Sequence, residues 1–164
     1  MSSLSTQFLT FQLGGETFAI PIAHVREVLK PPDITGIPGA PAFIRGVINV
    51  RGNVIPVVDL KGKFGQGLTE KRRSTRVMIV ESVLRDKRVV LGALADSVNE
   101  VIDLPESQVE PTPEVGVSLK TEFIRGIGKI DDHFVILLDV IRVFSEQELV
   151  HLERGAATPV PTTL

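Results

Sequence analysis

The chain has 164 residues, of which 43% are hydrophobic and 23% are charged, so it is long enough for one domain or two small lobes that share a core. Its formal net charge of −2 leaves no basic surface for nucleic acids and argues against electrostatic capture by an anionic membrane. The absence of Cys excludes disulfides, thiolate nucleophiles and Cys-based zinc sites.

The N-terminal part of the chain predicts short β-strands. Residues 9–13 alternate between apolar and polar, and Gly14-Gly15 predicts a hairpin turn before a second alternating run at 18–22. Residues 22–29 have mixed spacing and predict one helical turn followed by a short strand, which Pro31-Pro32 ends. Further strands are predicted at residues 47–50, 54–58, 77–80 and 89–94.

The C-terminal part predicts one helix. Ser145 and Glu148 form a capping box ahead of apolar residues, so we expect a helix to about residue 154, with Gly155 as its stop. We expect residues 155–164 to be a disordered tail. No apolar run approaches the roughly 20 residues of a membrane-spanning helix, and residues 1–7 lack Lys and Arg, so a soluble cytoplasmic protein is predicted.

Two related units of about 75–80 residues are predicted by an internal repeat. Residues 43–46 read Phe-Ile-Arg-Gly and recur 80 positions later at 123–126, and the apolar run that ends at Asp59 recurs in the same frame before Asp139. A weaker similarity relates residues 25–29 to 98–102. Only two copies of such a long period favour a duplicated small barrel over a solenoid.

No group of residues predicts catalysis. The three histidines, His24, His133 and His151, lack a metal-binding spacing, and Gly62-Lys63 lacks the other residues of a phosphate-binding loop. Asp59 and Asp139 permit a paired-carboxylate reading, but each ends an apolar strand, where Asp can cap the next turn.

The order and spacing of several motifs resemble those of the CheW-like chemotaxis coupling proteins. The resemblance spans roughly residues 7–154 and rests on four segments, residues 8–14, 25–28, 41–52 and 56–60. The second unit differs from the first, because Asp131-Asp132 stands where the first unit has Arg51-Gly52.

The resemblance implies a mainly β fold of two SH3-like five-stranded barrels packed side by side, with short helical turns and a C-terminal helix. We expect a single domain over residues 7–154. One subdomain is predicted from residues 7–64 together with 140–154, and the other from residues 65–139.

The resemblance also implies a non-catalytic adaptor that couples methyl-accepting chemoreceptors to the chemotaxis histidine kinase in a signalling array. The expected partners are the regulatory domain of the kinase and the cytoplasmic tip of the receptors. We expect no cofactor, no metal, no nucleic acid and no membrane insertion, and a monomer when the protein is alone. The predicted location is the cytoplasm, at membrane-associated receptor arrays.

Binding residues are predicted on both units. Aliphatic side chains suit a groove for a receptor helix, and Arg51 at a hairpin corner is expected to pair with Glu27. The predicted receptor-binding residues are Val25, Glu27, Val28, Ile48, Asn49 and Arg51. Val98 and Val101 are the counterparts of Val25 and Val28 in the second unit and are predicted to face the kinase. The alternative is that both lie in the core.

Two other classes of protein stay open at this point. An enzyme requires a pocket with perturbed carboxylates near Asp59 or Asp139. A structural homo-oligomer requires pairing between exposed edge strands.

Overall fold

The fold is mainly β, as predicted. The structure, a computed structural model, describes residues 5–84, 86–111 and 123–143. Its elements are β1 (Ser5–Leu13), β2 (Glu16–Pro21), β3 (Val25–Leu29), β4 (Ile44–Val50), β5 (Asn53–Asp59), α1 (Leu60–Lys63), β6 (Arg76–Leu84), β7 (Lys87–Ala95), β8 (Ser97–Pro105), β9 (Val109–Glu110), β10 (Ile124–Ile130), β11 (His133–Leu138) and α2 (Val140–Val143). The predicted turn before β3 is a 3₁₀ turn, Ile22–His24. The helix and tail predicted beyond residue 144 lie outside the described residues.

The strands form two sheets. One has the order β8-β1-β2-β11-β10-β9 and the other the order β3-β6-β7-β5-β4. Neighbouring strands are antiparallel except for two parallel pairs, β5 with β7 and β11 with β2. The prediction of two β units is confirmed, and the first sheet has one strand more than predicted because the two-residue β9 adds to the edge of β10.

The sheets do not follow the subdomain ranges predicted near residue 65. Strands β1 and β2 pair with β8 and β11 from the C-terminal part of the chain, while β6 and β7 join β3, β4 and β5. In each sheet, one hairpin lies between the first strand of the order and the hairpin of the repeat. This inserted hairpin is β6–β7 between β3 and β5 in one sheet, and β1–β2 between β8 and β11 in the other. The C-terminal unit is therefore completed by the N-terminal hairpin of the chain.

The 80-residue repeat is present in the strand register. Ile44 pairs with Val58 and Ile124 with Leu138, and in both hairpins the register shifts before the following Gly. The Asp that follows each hairpin donates its backbone N–H to the carbonyl of the repeated Phe, over 2.6 Å in the first unit and 2.9 Å in the second. The sequence repeat therefore encodes one hairpin geometry used twice.

Gly46 is required by a close approach of the backbone. Its φ is +140°, and a Cβ at this position would overlap the carbonyl group of Thr35, which pairs with Val47. At Gly126 a Cβ would lie 2.8 Å from Cγ1 of Val109. The glycine of each Phe-Ile-Arg-Gly motif thus leaves room for the segment that crosses the hairpin.

One shared core joins the sheets, and each sheet also encloses a smaller core. The shared core contains Phe11 and Phe18 of the first sheet and Met78 of the second, all almost fully buried. The smaller cores are centred on Val57 in one sheet and Leu137 in the other, which are repeat counterparts. This packing holds the two hairpins of the repeat in fixed positions.

Candidate functional site

The hairpin between β4 and β5 places Arg51 at a corner of the second sheet. Arg51 and Gly52 have φ values of +51° and +87°, and Val50 pairs with Asn53, which defines a two-residue turn of the kind that suits the strand twist. The side-chain oxygen of Asn49 accepts from the backbone N–H of Gly52 at 2.8 Å. Asn49, a predicted site residue, therefore stabilises the turn that presents Arg51.

Arg51 forms the predicted ion pair with Glu27. Its Nη1 donates to Oε1 of Glu27 at 3.2 Å, and its Nη2 donates to Oε2, so the contact is bidentate. Because Glu27 lies on β3 and Arg51 follows β4, the pair joins the first and last strands of the sheet order. It closes the sheet toward a barrel at a point where the Arg51 side chain is still 69% exposed.

The pair shifts the pKa of both residues. The hydrogen bond from Arg51 holds the pKa of the Glu27 carboxyl below its ordinary value, with smaller support from the charges of Arg51 and Arg26. The same hydrogen bond raises the pKa of the Arg51 guanidinium. Both groups are therefore charged at neutral pH.

The other predicted receptor-binding residues differ in how far they are buried. Val28 is 38% exposed beside Glu27, whereas Val25 is half-buried against the shared core. The prediction that Ile48 lines a groove is wrong, because its side chain is 2% exposed and packs with Val50 in the smaller core. Alternation along β4 turns Ile48 inward and Asn49 outward.

The two predicted kinase-facing residues also differ. Val101 is 47% exposed, whereas Val98 is half-buried and packs against the shared core. The alternative of a core position is therefore supported for Val98 and not for Val101. The hairpin after β10 exposes Phe134 to 63%, an aromatic surface residue that the sequence reasoning missed. Its repeat counterpart, Val54, is 68% exposed at the same position of its hairpin. The repeat could therefore have identified Phe134 as a surface residue.

The two candidate catalytic carboxylates act as caps. Asp59 is fully buried and accepts from the backbone N–H of Gly62, and Asp139 accepts from those of Ile141 and Arg142. Asp59 also accepts from Nη1 of Arg45 at 2.9 Å. These bonds occupy both carboxylates in local structure.

A buried network around Asp59 was not predicted. The carboxylate accepts from the backbone N–H and the hydroxyl of Thr69, and Arg45 also donates to the carbonyl of Thr69. The network fixes the loop after α1 to strands β4 and β5. The repeated Arg and Asp were visible in the sequence, but Thr69 lies 10 residues beyond Asp59 and has no motif of its own.

The two repeated arginines line clefts in equivalent places. A cleft of about 360 Å³ is lined by Arg45 together with Ile34 and Leu94, and one of about 290 Å³ by Arg125 together with Leu104 and other residues. Arg125 does not repeat the bond of Arg45 to an Asp; its guanidinium lies 5.8 Å from the ring centre of Phe8. Both clefts have a mixed lining of apolar, polar and charged residues.

The histidines lie apart from these features. Nδ1 of His24 is 3.1 Å from the carbonyl oxygen of Glu81, His133 is exposed, and His151 is outside the described residues. Across residues 5–84, 86–111 and 123–143, no group of His, Cys, Asp or Glu is arranged to hold a metal ion. In the same ranges, no helix has the length and apolar character needed to cross a membrane.

Comparison with known proteins identifies one family. The CheW-like domain matches residues 7–148. The chemotaxis protein CheW of Klebsiella aerogenes is 33% identical over 94% of this chain and 90% of its own length, and that of Helicobacter pylori is 34% identical over 85% and 82%. The crystal structure of the scaffolding protein TtCheW from Thermoanaerobacter tengcongensis superposes with a TM-score of 0.76 at 36% identity, over 90% of this chain and 92% of that one.

The Asp59 network predicts a large difference between two equivalent substitutions. Asp59→Asn removes a buried charge partner of Arg45, so the free energy of unfolding should fall by about 3 kcal/mol. Asp139→Asn keeps a side-chain oxygen that can cap α2 and should cost less than about 0.5 kcal/mol. Urea unfolding of both variants measures the difference; equal losses would show that burial of Asp59 does not govern its contribution.

The Glu27–Arg51 pair predicts a pH dependence. Because the pKa of Glu27 is lowered in the folded state, the pair stabilises the fold above the ordinary Glu pKa of about 4.3 and loses this effect as the pH falls through the lowered value. Arg51→Ala should shift the carboxyl titration of Glu27, followed by ¹³C NMR, back toward the ordinary value. Arg72→Ala, which removes the exposed pair with Glu70, should leave it unchanged.

Proposed function

The chain belongs to the CheW-like domain family, and we propose that it is a chemotaxis scaffold that couples receptors to a histidine kinase without catalysing a reaction. Relatives named as chemotaxis proteins align over most of both chains, and the similar solved structure is that of a scaffolding protein. The capping bonds of Asp59 and Asp139 support a non-catalytic role, because both carboxylates are engaged in the fold. The proposed site of action is the cytoplasm, at receptor arrays.

The observation that carries the receptor half of the proposal is the Arg51–Glu27 pair. A bidentate pair on a closed sheet presents a guanidinium in one fixed orientation, although its side chain is 69% exposed and the pair adds little to stability. Exposed Val28 lies next to Glu27 on the same strand. An aliphatic side chain beside a fixed ion pair suits the side of a helical receptor tip.

The proposed kinase-binding surface lies on the second unit around Val101. Val101 is 47% exposed, and it occupies the strand position equivalent to that of Val28, which is also exposed. Val98 contributes by packing beneath this surface rather than by direct contact, since it contacts the shared core. The partner in this proposal is the regulatory domain of the kinase, and the chain alone is a monomer at micromolar concentration.

Substitution of Arg51 should separate coupling from folding. Arg51→Ala should reduce receptor binding and receptor-dependent kinase activation at least tenfold while changing the thermal midpoint little, because the pair is exposed. Arg51→Lys should restore only part of the binding, since an ammonium lacks the planar fork, and Glu27→Ala should behave like Arg51→Ala.

The matched control is Arg72→Ala, which removes another exposed ion pair and should couple like the parent. The measurements are a pull-down with a receptor tip fragment, a receptor-dependent kinase assay and a thermal melt. An Arg51→Ala variant that couples like the parent would show that Arg51 is only a solvated turn residue.

Substitution of Val101 tests the kinase half of the proposal. Val101→Glu places a charge on an exposed apolar position, so it should weaken binding of the kinase regulatory domain while the thermal midpoint and receptor binding stay near those of the parent. Val83→Glu, at a site that is 60% exposed on another hairpin, is the control. Equal effects of the two variants in calorimetric titration would remove Val101 from the site, and Val98→Glu should instead lower the thermal midpoint.

A further inference from the structure

The larger of the two clefts, beside Arg45, is separate from the proposed receptor and kinase surfaces. It encloses about 360 Å³ and is lined by residues 31–34, Arg45, Thr69, Lys71, Thr75 and Leu94; we call it the Arg45 cleft. Arg45 is the second residue of β4, whereas Arg51 follows the end of this strand. The volume of the cleft lies in the lower part of the range of about 300–1,000 Å³ that is typical of small-ligand pockets.

Hydrogen bonds hold both walls of the Arg45 cleft in place. Thr35, which follows the first wall, donates its N–H to the carbonyl of Val47 at 2.9 Å and accepts from the N–H of Val47 at 2.8 Å. In the second wall, the hydroxyl of buried Thr75 donates to the carbonyl of Glu70 and accepts from the N–H of Arg72, both at 2.8 Å. The cleft is therefore preformed, and a ligand does not have to order its walls.

The guanidinium of Arg45 is fixed with one edge unused. Its Nη1 donates to Oδ2 of Asp59 at 2.9 Å and to the carbonyl of Thr69 at 3.0 Å. Its Nε and Nη2 form no hydrogen bond to any residue in the described part of the chain, and the side chain is 31% exposed. These two N–H groups lie side by side on one edge of the guanidinium, so they match the two oxygens of an oxyanion such as a carboxylate.

The charges of the cleft suit one negative charge. Its charged lining residues are Arg45, Lys71 and Asp33, which leaves a surplus of one positive charge. Lys71 and Asp33 are exposed and form no ion pair with another described residue. The segments 30–34 and 69–76 together carry five cations and two anions, in a chain whose net charge is −2, so the field at the mouth attracts anions. A monoanion fits this lining better than a dianionic phosphate, which Asp33 would repel more strongly.

Apolar side chains form the remaining part of the cleft. Leu94 is 3% exposed, and half-buried Ile34 packs with it in the smaller core of the second sheet. Pro31 and Pro32, also half-buried, continue this apolar surface. The apolar part of a ligand would displace water from these residues, which favours binding.

We propose that the Arg45 cleft binds a small organic monocarboxylate with an apolar body. The carboxylate accepts from Nε and Nη2 of Arg45, the ammonium of Lys71 attracts it from the rim, and the apolar body packs against Ile34 and Leu94. Since Asp59 holds the guanidinium from behind, the fork faces the ligand in one orientation. The proposal concerns the chain alone and does not rest on its proposed function.

Titration of the full chain with sodium benzoate, followed by ¹H–¹⁵N NMR at constant ionic strength, tests the site. A ligand of this size with one bidentate contact should saturate with a Kd of about 1 mM. The shifted backbone amides should be those of Asp33, Ile34, Arg45, Thr69 and Lys71. The absence of a saturable shift up to about 20 mM benzoate, or shifts at other places, overturns the proposal. Because no receptor or kinase is present, this failure is distinct from failure of the proposed function.

Two analogues of benzoate test the chemical class. Benzamide has nearly the same shape without the charge and should bind at least tenfold more weakly, because it cannot accept the fork of Arg45 as an anion. Phenyl phosphate, which is mostly dianionic at pH 7.5, should bind no more tightly than benzoate. Equal affinity for benzamide, or tighter binding of phenyl phosphate, contradicts the assignment to a monocarboxylate.

Substitutions of the exposed lining residues should act in opposite directions. Lys71→Gln removes a cation from the rim and should raise the Kd for benzoate at least threefold, whereas Asp33→Asn removes an anion and should lower it about twofold. Arg73→Gln is the matched control, because it removes an exposed cation from the same loop outside the lining, and it should leave the Kd unchanged. Equal effects of Lys71→Gln and Arg73→Gln would show diffuse attraction of anions and would remove the site.

Substitution of Arg45 tests the fork itself. Arg45→Lys keeps a cation beside Asp59 but lacks the paired N–H groups, so it should raise the Kd for benzoate at least tenfold. Its thermal midpoint is measured alongside, since the substitution also changes a buried ion pair, and the exposed positions Lys71 and Asp33 keep the test independent of folding. An Arg45→Lys variant that binds benzoate like the parent contradicts the proposed contact.

Discussion

Both sheets depend on the packing of the N-terminal hairpin into the shared core. Phe11 and Phe18, which face each other on β1 and β2, are almost fully buried, with ring centres 6.0 Å apart. The ring of Phe18 lies 6.1 Å from that of Phe64, and Phe64 lies 5.9 Å from Phe123. This row of four rings joins the hairpin to both repeats. Because β1 and β2 lie between β8 and β11, the first sheet is continuous only when the hairpin is docked.

This long-range arrangement gives the surface its rigidity. The strands that carry the predicted surface residues pair with strands distant in sequence: β3, which carries Glu27, pairs with β6, and β8, which carries Val101, pairs with β1. The Arg51–Glu27 pair then adds a link between the two edge strands of one sheet. An exposed ion pair contributes little stability, so its value is positional: it sets the direction of a guanidinium on a surface that the core already holds in place.

Local patterns in the sequence predicted the elements well because they depend on neighbouring residues. Alternation, β-branched runs and turn residues identified β1 to β7, the Gly14-Gly15 hairpin and the turn at Arg51, but they did not predict β8. Alternation along β4 was also sufficient to predict that Ile48 is buried, because residues 48 and 50 lie on the inner face of the strand and residue 49 lies on the outer face. The pairing of Arg51 with Glu27 was predictable from the resemblance, although their separation of 24 residues hides it from local patterns.

Non-local features were beyond such patterns. The assignment of β1 and β2 to the second unit depends on pairing with strands more than 80 residues away, which a count of residues along the chain places in the wrong subdomain. The Asp59 network depends on Thr69, a residue in a loop without a motif. The difference between half-buried Val98 and exposed Val101 was not predicted either; they pair with Phe11 and Leu9, on either side of a register shift between β1 and β8.

The two repeats keep their backbone and differ in their side-chain chemistry. Gly46 and Gly126 both leave room for a crossing segment, and Asp59 and Asp139 both cap the helix that follows. Only the first of these carboxylates is buried with an arginine, however. Features that define the hairpin are therefore present in both units, whereas the residues at its exposed turn differ in charge. A duplicated barrel can in this way hold two surfaces of one shape at fixed positions and give each a different binding preference.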